Sequence, residues 1–155
     1  WSKNVDKYIK SNSSGRTIMW TRNANASVWP DSSRDHDLRM VMFYNYKDSG
    51  EQDFWRFRGR VKRAMTESGY PSRVSVLVCN SGCNGNVVQV RFHHDGFVGQ
   101  SSDYGEPLQN MIAKYNEIFG DESYAQDSAK MAESLEENGR SIRHHEYLPE
   151  LSSSW

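Results

Sequence analysis

Arg73-Val74-Ser75-Val76-Leu77-Val78-Cys79-Asn80, then Ser81-Gly82-Cys83-Asn84-Gly85, then Asn86-Val87-Val88-Gln89-Val90-Arg91-Phe92-His93-His94: this stretch decides the fold. The first run is rich in valine with a period of two, as a half-buried strand requires. Asn84-Gly85 within the short linker is a strong hairpin signal, because both residues tolerate positive φ. The second run alternates Val88, Val90 and Phe92 with Gln89, Arg91 and His93. Two antiparallel strands are therefore expected over 73–80 and 86–94.

Upstream, Ser49 and Gln52 have the spacing of a capping box. Phe54, Phe57, Val61, Ala64 and Met65 then recur at helical spacing, with Arg56, Arg60, Lys62 and Arg63 on other faces. Gly69 and Pro71 stop this helix. Before it, Leu38 to Lys47 is dominated by apolar and aromatic residues and reads as a strand. Downstream, Pro107 suits the first turn of a helix whose apolar side is Leu108, Met111, Ile112, Tyr115, Ile118 and Phe119. Gly120-Asp121 breaks it, a further helix from about Ser123 carries Tyr124, Met131 and Leu135, and Gly139 is expected to end that helix. Ser141 to Leu148 is the last strand. The order is β-α-β-β-α-β.

The chain has 155 residues, 36% of them apolar, with a formal charge of −1. That balance argues against a dedicated nucleic-acid binder, which needs an excess of Lys and Arg. Five tryptophans, eight tyrosines and six phenylalanines supply core surface that the low aliphatic content lacks. No apolar run is long enough for a transmembrane helix. The opening Trp1-Ser2-Lys3-Asn4 is neither a signal peptide nor an initiator Met, so a trimmed chain or part of a longer one is expected. Cys79 and Cys83 read as two free thiols or as a local disulfide closing the Gly/Asn-rich loop. Without a second Cys/His pair they make a poor zinc site. Asn12-Ser13-Ser14 and Asn25-Ala26-Ser27 match the glycosylation pattern, but chance explains both in Ser/Asn-rich sequence.

Gly15-Arg16-Thr17-Ile18 echoes Gly139-Arg140-Ser141-Ile142. Each follows a helix-like segment, Val5 to Lys10 or Ala129 to Leu135, and precedes a Ser-containing tail ending in Trp29 or Trp155. Residues 1–36 therefore read as an N-terminal helix and strand, either the end of a preceding repeat or an independent addition to the main sheet. The domain proper spans 37–151, and 152–155 form a tail.

A β-α-β-β-α-β order is that of ferredoxin-like α+β domains, with an antiparallel sheet in the order 4-1-3-2. With the broken second helical region from Pro107 to Leu135 and the ending Tyr147-Leu148-Pro149-Glu150-Leu151-Ser152, residues Leu38 to Leu151 resemble the dimeric α+β barrel superfamily. The resemblance is to antibiotic-biosynthesis-type monooxygenases, EthD-like proteins and NIPSNAP-like proteins with tandem repeats. It implies helices on one face of the sheet and, on the other, a second sheet from a dimer partner or a tandem repeat. No catalytic residue of a characterised member is carried over, and the Asn, Trp and His set of the heme-degrading branch is not placed here.

In that frame Met40, Met42, Tyr44, Val74, Val76, Val78, Val88, Val90, Phe92 and Ile142 are expected on the helix face. Arg39, Val41, Phe43, Asn45, Leu77, Gln89, Arg91, His93, Arg143, His145 and Tyr147 are expected on the opposite face. A mixed lining of this kind suits a small-molecule pocket between two sheets, and equally a polar sheet–sheet interface. As a pocket, His93 or His145 is the candidate general base, since imidazole titrates near neutral pH. Arg91, with Arg39 and Arg143, would hold an anionic or enolate-like oxygen, and Asn45, Tyr147 and Gln89 would orient the substrate. Such a set would serve cofactor-free oxidoreductase or isomerase chemistry, or ligand binding. A non-enzymatic oligomeric assembly module and a heme-binding protein are the alternatives.

The doublets His93-His94 and His144-His145 make a poor metal site. Alternation puts one His of each pair on a given face, and their strands lie about 10 Å apart across the first strand. There is no Gly-x-Ser-x-Gly elbow, no Gly-x-Gly-x-x-Gly and no P-loop. The basic run Arg56 to Arg63 could touch RNA, but the third strand lacks the stacking-aromatic motif of RNA-recognition modules, and a solvated helix face is the better account. The expected partner is a second copy or repeat and a small molecule, with no nucleic acid, no membrane and no cofactor.

Overall fold

A computed structural model describes residues 18–30, 38–83, 85–92, 105–146 and 148. The chain runs β1 (Met19–Arg22), β2 (Leu38–Tyr46), a 3-10 turn (Asp48–Gly50), α1 (Glu51–Glu67), β3 (Arg73–Ser81), β4 (Val87–Phe92), α2 (Gly105–Phe119), α3 (Ser123–Glu133) and β5 (Leu135–Glu146). It is an α+β protein with one five-stranded antiparallel sheet in the order β1-β3-β4-β2-β5. No helix among the described residues is long and apolar enough to cross a membrane.

The helices cover one face. Phe54, Phe57, Ala64 and Met65 of α1, with Met111 and Tyr115 of α2, bury themselves against Met42, Tyr44, Val74, Val76 and Val87. Phe54 and Tyr115 are fully enclosed, and each such ring contributes on the order of 2 kcal/mol by leaving water. β1 adds an edge to β3, and the chain after it folds back so that Val28 and Val74 exchange backbone hydrogen bonds of 2.8 Å in both directions. Ala26 and Val28 thereby join the core. The helix expected over Val5 to Lys10 lies outside the described residues.

Local expectations are corrected at two places, and an alternative left open is decided at a third. Ser49 lies inside the 3-10 turn and makes no capping bond, and α1 starts after Gly50 instead. Gly50 is needed there because a Cβ would come within 2.6 Å of Ser134, where the end of α3 passes. Gly139 does not end a helix. α3 stops at Glu133, and Gly139 sits inside β5, at a bulge where a Cβ would collide with the Asn45 carbonyl oxygen. Its neighbour Asn138 takes the left-handed φ of 57° that such a bulge demands. Finally, Cys79 and Cys83 are joined as a disulfide.

The largest correction concerns the faces of β4. Register pairs Val87 with Tyr44 and Val78, Gln89 with Met42 and Val76, and Arg91 with Met40 and Val74. Residues directly opposite in an antiparallel sheet project from the same side. Gln89 and Arg91 therefore lie on the helix face, and Val88, Val90 and Phe92 lie on the open one. The alternation was right in period and inverted in phase. Both phases of β4 offer valine to a core, so period alone does not choose between them. Register also places Ile142 on the helix side, yet it is 45% exposed, because β5 reaches beyond the helices.

Candidate functional site

Arg58 sits four residues after Phe54 and three before Val61, in the middle of the buried stripe of α1. It is 8% exposed. Its Nη1 donates to Gln89 Oε1 at 2.5 Å. The guanidinium lies over the rings of Tyr44, Phe54 and Phe57, 4.5, 5.3 and 5.9 Å from their centroids. These cation–π contacts offset part of the cost of burying the charge. Among the described residues Nε has no hydrogen-bond partner, and the same holds for Arg91 Nε.

Arg58 walls a half-open cavity of about 220 Å³ between the sheet and the helices. β4 contributes Gln89 and Arg91, β5 contributes Arg140, and α3 contributes Tyr124 and Ser128. Met40, Met42, Phe57 and Met131 form its apolar part. Among the described residues, Arg140 Nη2 reaches the Met42 sulfur, at 3.9 Å. No described carboxylate pairs with Arg58, Arg91 or Arg140. Burial pushes the Tyr124 hydroxyl above its ordinary pKa, and the positive charges of Arg91 and Arg58 pull partly against that shift. Tyr124 is thus a neutral donor within electrostatic reach of both guanidiniums.

Two turns of the same helix show what paired arginines look like. Arg56 Nη2 and Arg60 Nη1 hold the buried Asp127 carboxylate at 3.1 and 2.6 Å, and Tyr115 donates to it at 2.6 Å. Burial raises the Asp127 pKa, but the hydrogen bonds from Tyr115 and Arg60 and the two arginine charges more than reverse this, so it ends below the usual carboxylate range. Tyr115 is raised by its burial and by that bond. This cluster ties α1, α2 and α3 together and is closed on itself.

The residues expected to form one site are divided by the sheet. Gln89 and Arg91 meet in the cavity. Arg39, Arg143 and His145 lie on the open face, where Arg39 stacks 5.0 Å over Phe92 and Arg143 4.9 Å over Phe43. Arg39 and His145 are register partners across β2 and β5. Asn45 is exposed beside the β5 bulge, next to Glu137, Asn138 and Ser141. His93 and Tyr147 lie outside the described residues. The structure thus separates the candidate base His145 from Arg91.

Arg58, Arg140, Tyr124 and Ser128 are not among the site residues expected from the sequence. For Arg58 a signal existed, since a charge within the apolar stripe of a helix is buried by its position. For Arg140 there was none, because its role depends on how far β5 overhangs Met42. Comparisons with protein-family models, with curated proteins and with solved structures return no match.

Proposed function

We propose that this chain is a small-molecule-binding domain of the ferredoxin-like α+β type, with its ligand seated between the sheet and the helices. With β1 set aside, the strand order β5-β2-β4-β3 supports the ferredoxin-like part of this reading. One observation carries the binding part: Arg58 is buried beside Arg91 and Arg140, around a cavity with no described carboxylate. A buried cation without a counter-ion costs folding free energy, and such a cost is found where a ligand supplies the missing charge. The described lining carries no imidazole and no carboxylate, which favours binding over proton abstraction.

The chain contains six methionines, and Met40, Met42 and Met131 line the cavity. Methyl-labelled methionine therefore gives an NMR screen with internal controls in Met19, Met65 and Met111. Small fragments, neutral and anionic, should move the signals of Met40, Met42 and Met131 and leave the controls in place. A screen in which those three stay still removes the reading.

A second reading is favoured by the open face. Val41 and Val88 are only 7% exposed there, although neither belongs to the core beneath the helices. Phe43, Leu77, Val90 and Phe92 are half-buried around them, and no described helix covers this side. In this reading the face seats a second sheet of the same kind, supplied by another copy of the chain, as the α+β barrel resemblance implies.

A further inference from the structure

Resting on the binding reading above, we infer that the cavity takes a dianionic phosphate group, as inorganic phosphate or as the phosphate of a small monoester with a short apolar or aromatic skeleton. The first argument is charge. Arg58, Arg91 and Arg140 bring three positive charges to the cavity wall, and no described carboxylate answers any of them. A carboxylate ligand would offset one of the three. A phosphate monoester carries about −1.5 to −2 near neutral pH and offsets more.

The second argument is the donor set. Arg58 spends Nη1 on Gln89, and among the described residues its other nitrogens and those of Arg91 meet no hydrogen-bond acceptor. Planar guanidinium forks match the oxygens of a tetrahedral phosphate two at a time. The hydroxyls of Tyr124 and Ser128 stand on the same lining as further donors. Gln89 Oε1, the amide acceptor of the lining, is already engaged by Arg58, so it opposes an incoming anion less than a free carbonyl would.

The third argument is size. A volume of about 220 Å³ falls below the roughly 300–1,000 Å³ typical of sites for drug-sized ligands. A phosphate with a few carbons fits within that volume. Met40, Met42 and Met131 provide soft, adaptable surface for those carbons.

The test uses the full chain and calorimetric titration with inorganic phosphate, phenyl phosphate and benzoate. Both phosphates should bind saturably, phenyl phosphate more tightly because its ring meets the methionines, and benzoate about tenfold more weakly or worse. Arg91→Gln and Arg140→Gln should each weaken phosphate binding by about tenfold, the loss of one charge-assisted contact. Arg63→Gln, on the outer side of α1, should leave it unchanged. Arg140 is exposed, so its variant reports on the site even if another fails to fold. Absence of saturable phosphate binding, or binding indifferent to both variants, overturns the inference. Benzoate or neutral fragments that shift the Met40, Met42 and Met131 methyls while phosphates do not would overturn it and leave the binding reading standing. If no compound shifts them, both fall.

Discussion

Arg58 is costly to the fold. Its charge is buried against three rings and one amide, and Gln89 is committed to satisfying it. Replacing a buried ionic or polar pair by apolar residues of similar volume is often neutral or stabilising, by about 1–4 kcal/mol. The double variant Arg58→Met/Gln89→Leu should therefore unfold at an equal or higher urea concentration than the parent chain, and lose phosphate binding. A single Arg58→Met change is a poorer test, because it leaves the Gln89 oxygen buried without a donor. A double variant that unfolds earlier would mean that Arg58 is a structural residue. This residue could be read from its place in the α1 stripe. Its need for a counter-ion could not, since that depends on which charges the fold brings beside it.

At the level of elements, the three helices are joined by one carboxylate. Asp127 of α3 accepts from Arg56 and Arg60 of α1 and from Tyr115 of α2. Asp127→Asn keeps the shape and removes the charge. Breaking a fully buried pair costs about 3–5 kcal/mol, and because both arginine side chains are about a third exposed, roughly 2 kcal/mol is the better expectation here. Urea unfolding measures it, and a loss below about 0.5 kcal/mol would show the cluster to be incidental. The pH dependence has a definite sign. The folded pKa of Asp127 is depressed, so the unfolded chain binds the proton more readily. This contribution is present above the ordinary carboxylate value of about 3.9 and fades as the pH falls through the lower folded value. The parent chain should lose stability below about pH 4, and Asp127→Asn should lose less over the same range. Other elements teach a different lesson. The period of β4 was legible and its phase was not, because Val87 on one side and Val88 with Val90 on the other are equally apolar. Likewise Gly139 looked like a helix stop, while its actual duty is to let β5 pass the Asn45 carbonyl.

For the whole molecule, the open face decides between an isolated sheet and a paired one. Val90 projects there, outside the core that the helices cover. If a second copy seats its own sheet on this face, light scattering coupled to size exclusion should give a dimer at micromolar concentration. Val90→Asp should then give a monomer with a nearly unchanged melting temperature. A parent chain that is monomeric throughout that concentration range dismisses the paired-sheet reading. The arginines complicate such pairing, since Arg39, Arg73 and Arg143 would approach their copies across a two-fold axis. Their stacking on Phe92, Trp29 and Phe43 spreads the charge over aromatic faces.

By itself the sequence determined that residues 38–146 build strands and helices in the order β-α-β-β-α-α-β and that β3 and β4 are joined by a turn near Gly85. Those properties are local: periodicity, turn chemistry and composition act through neighbours a few residues away. Only the tertiary structure decided that Arg91 and Gln89 turn toward α1, that His145 turns away from them, and that Arg58 and Arg140 complete a cationic cavity. Strand phase and convergence of charge are set by register between segments some fifty residues apart, and a single strand read alone has no side that is inside.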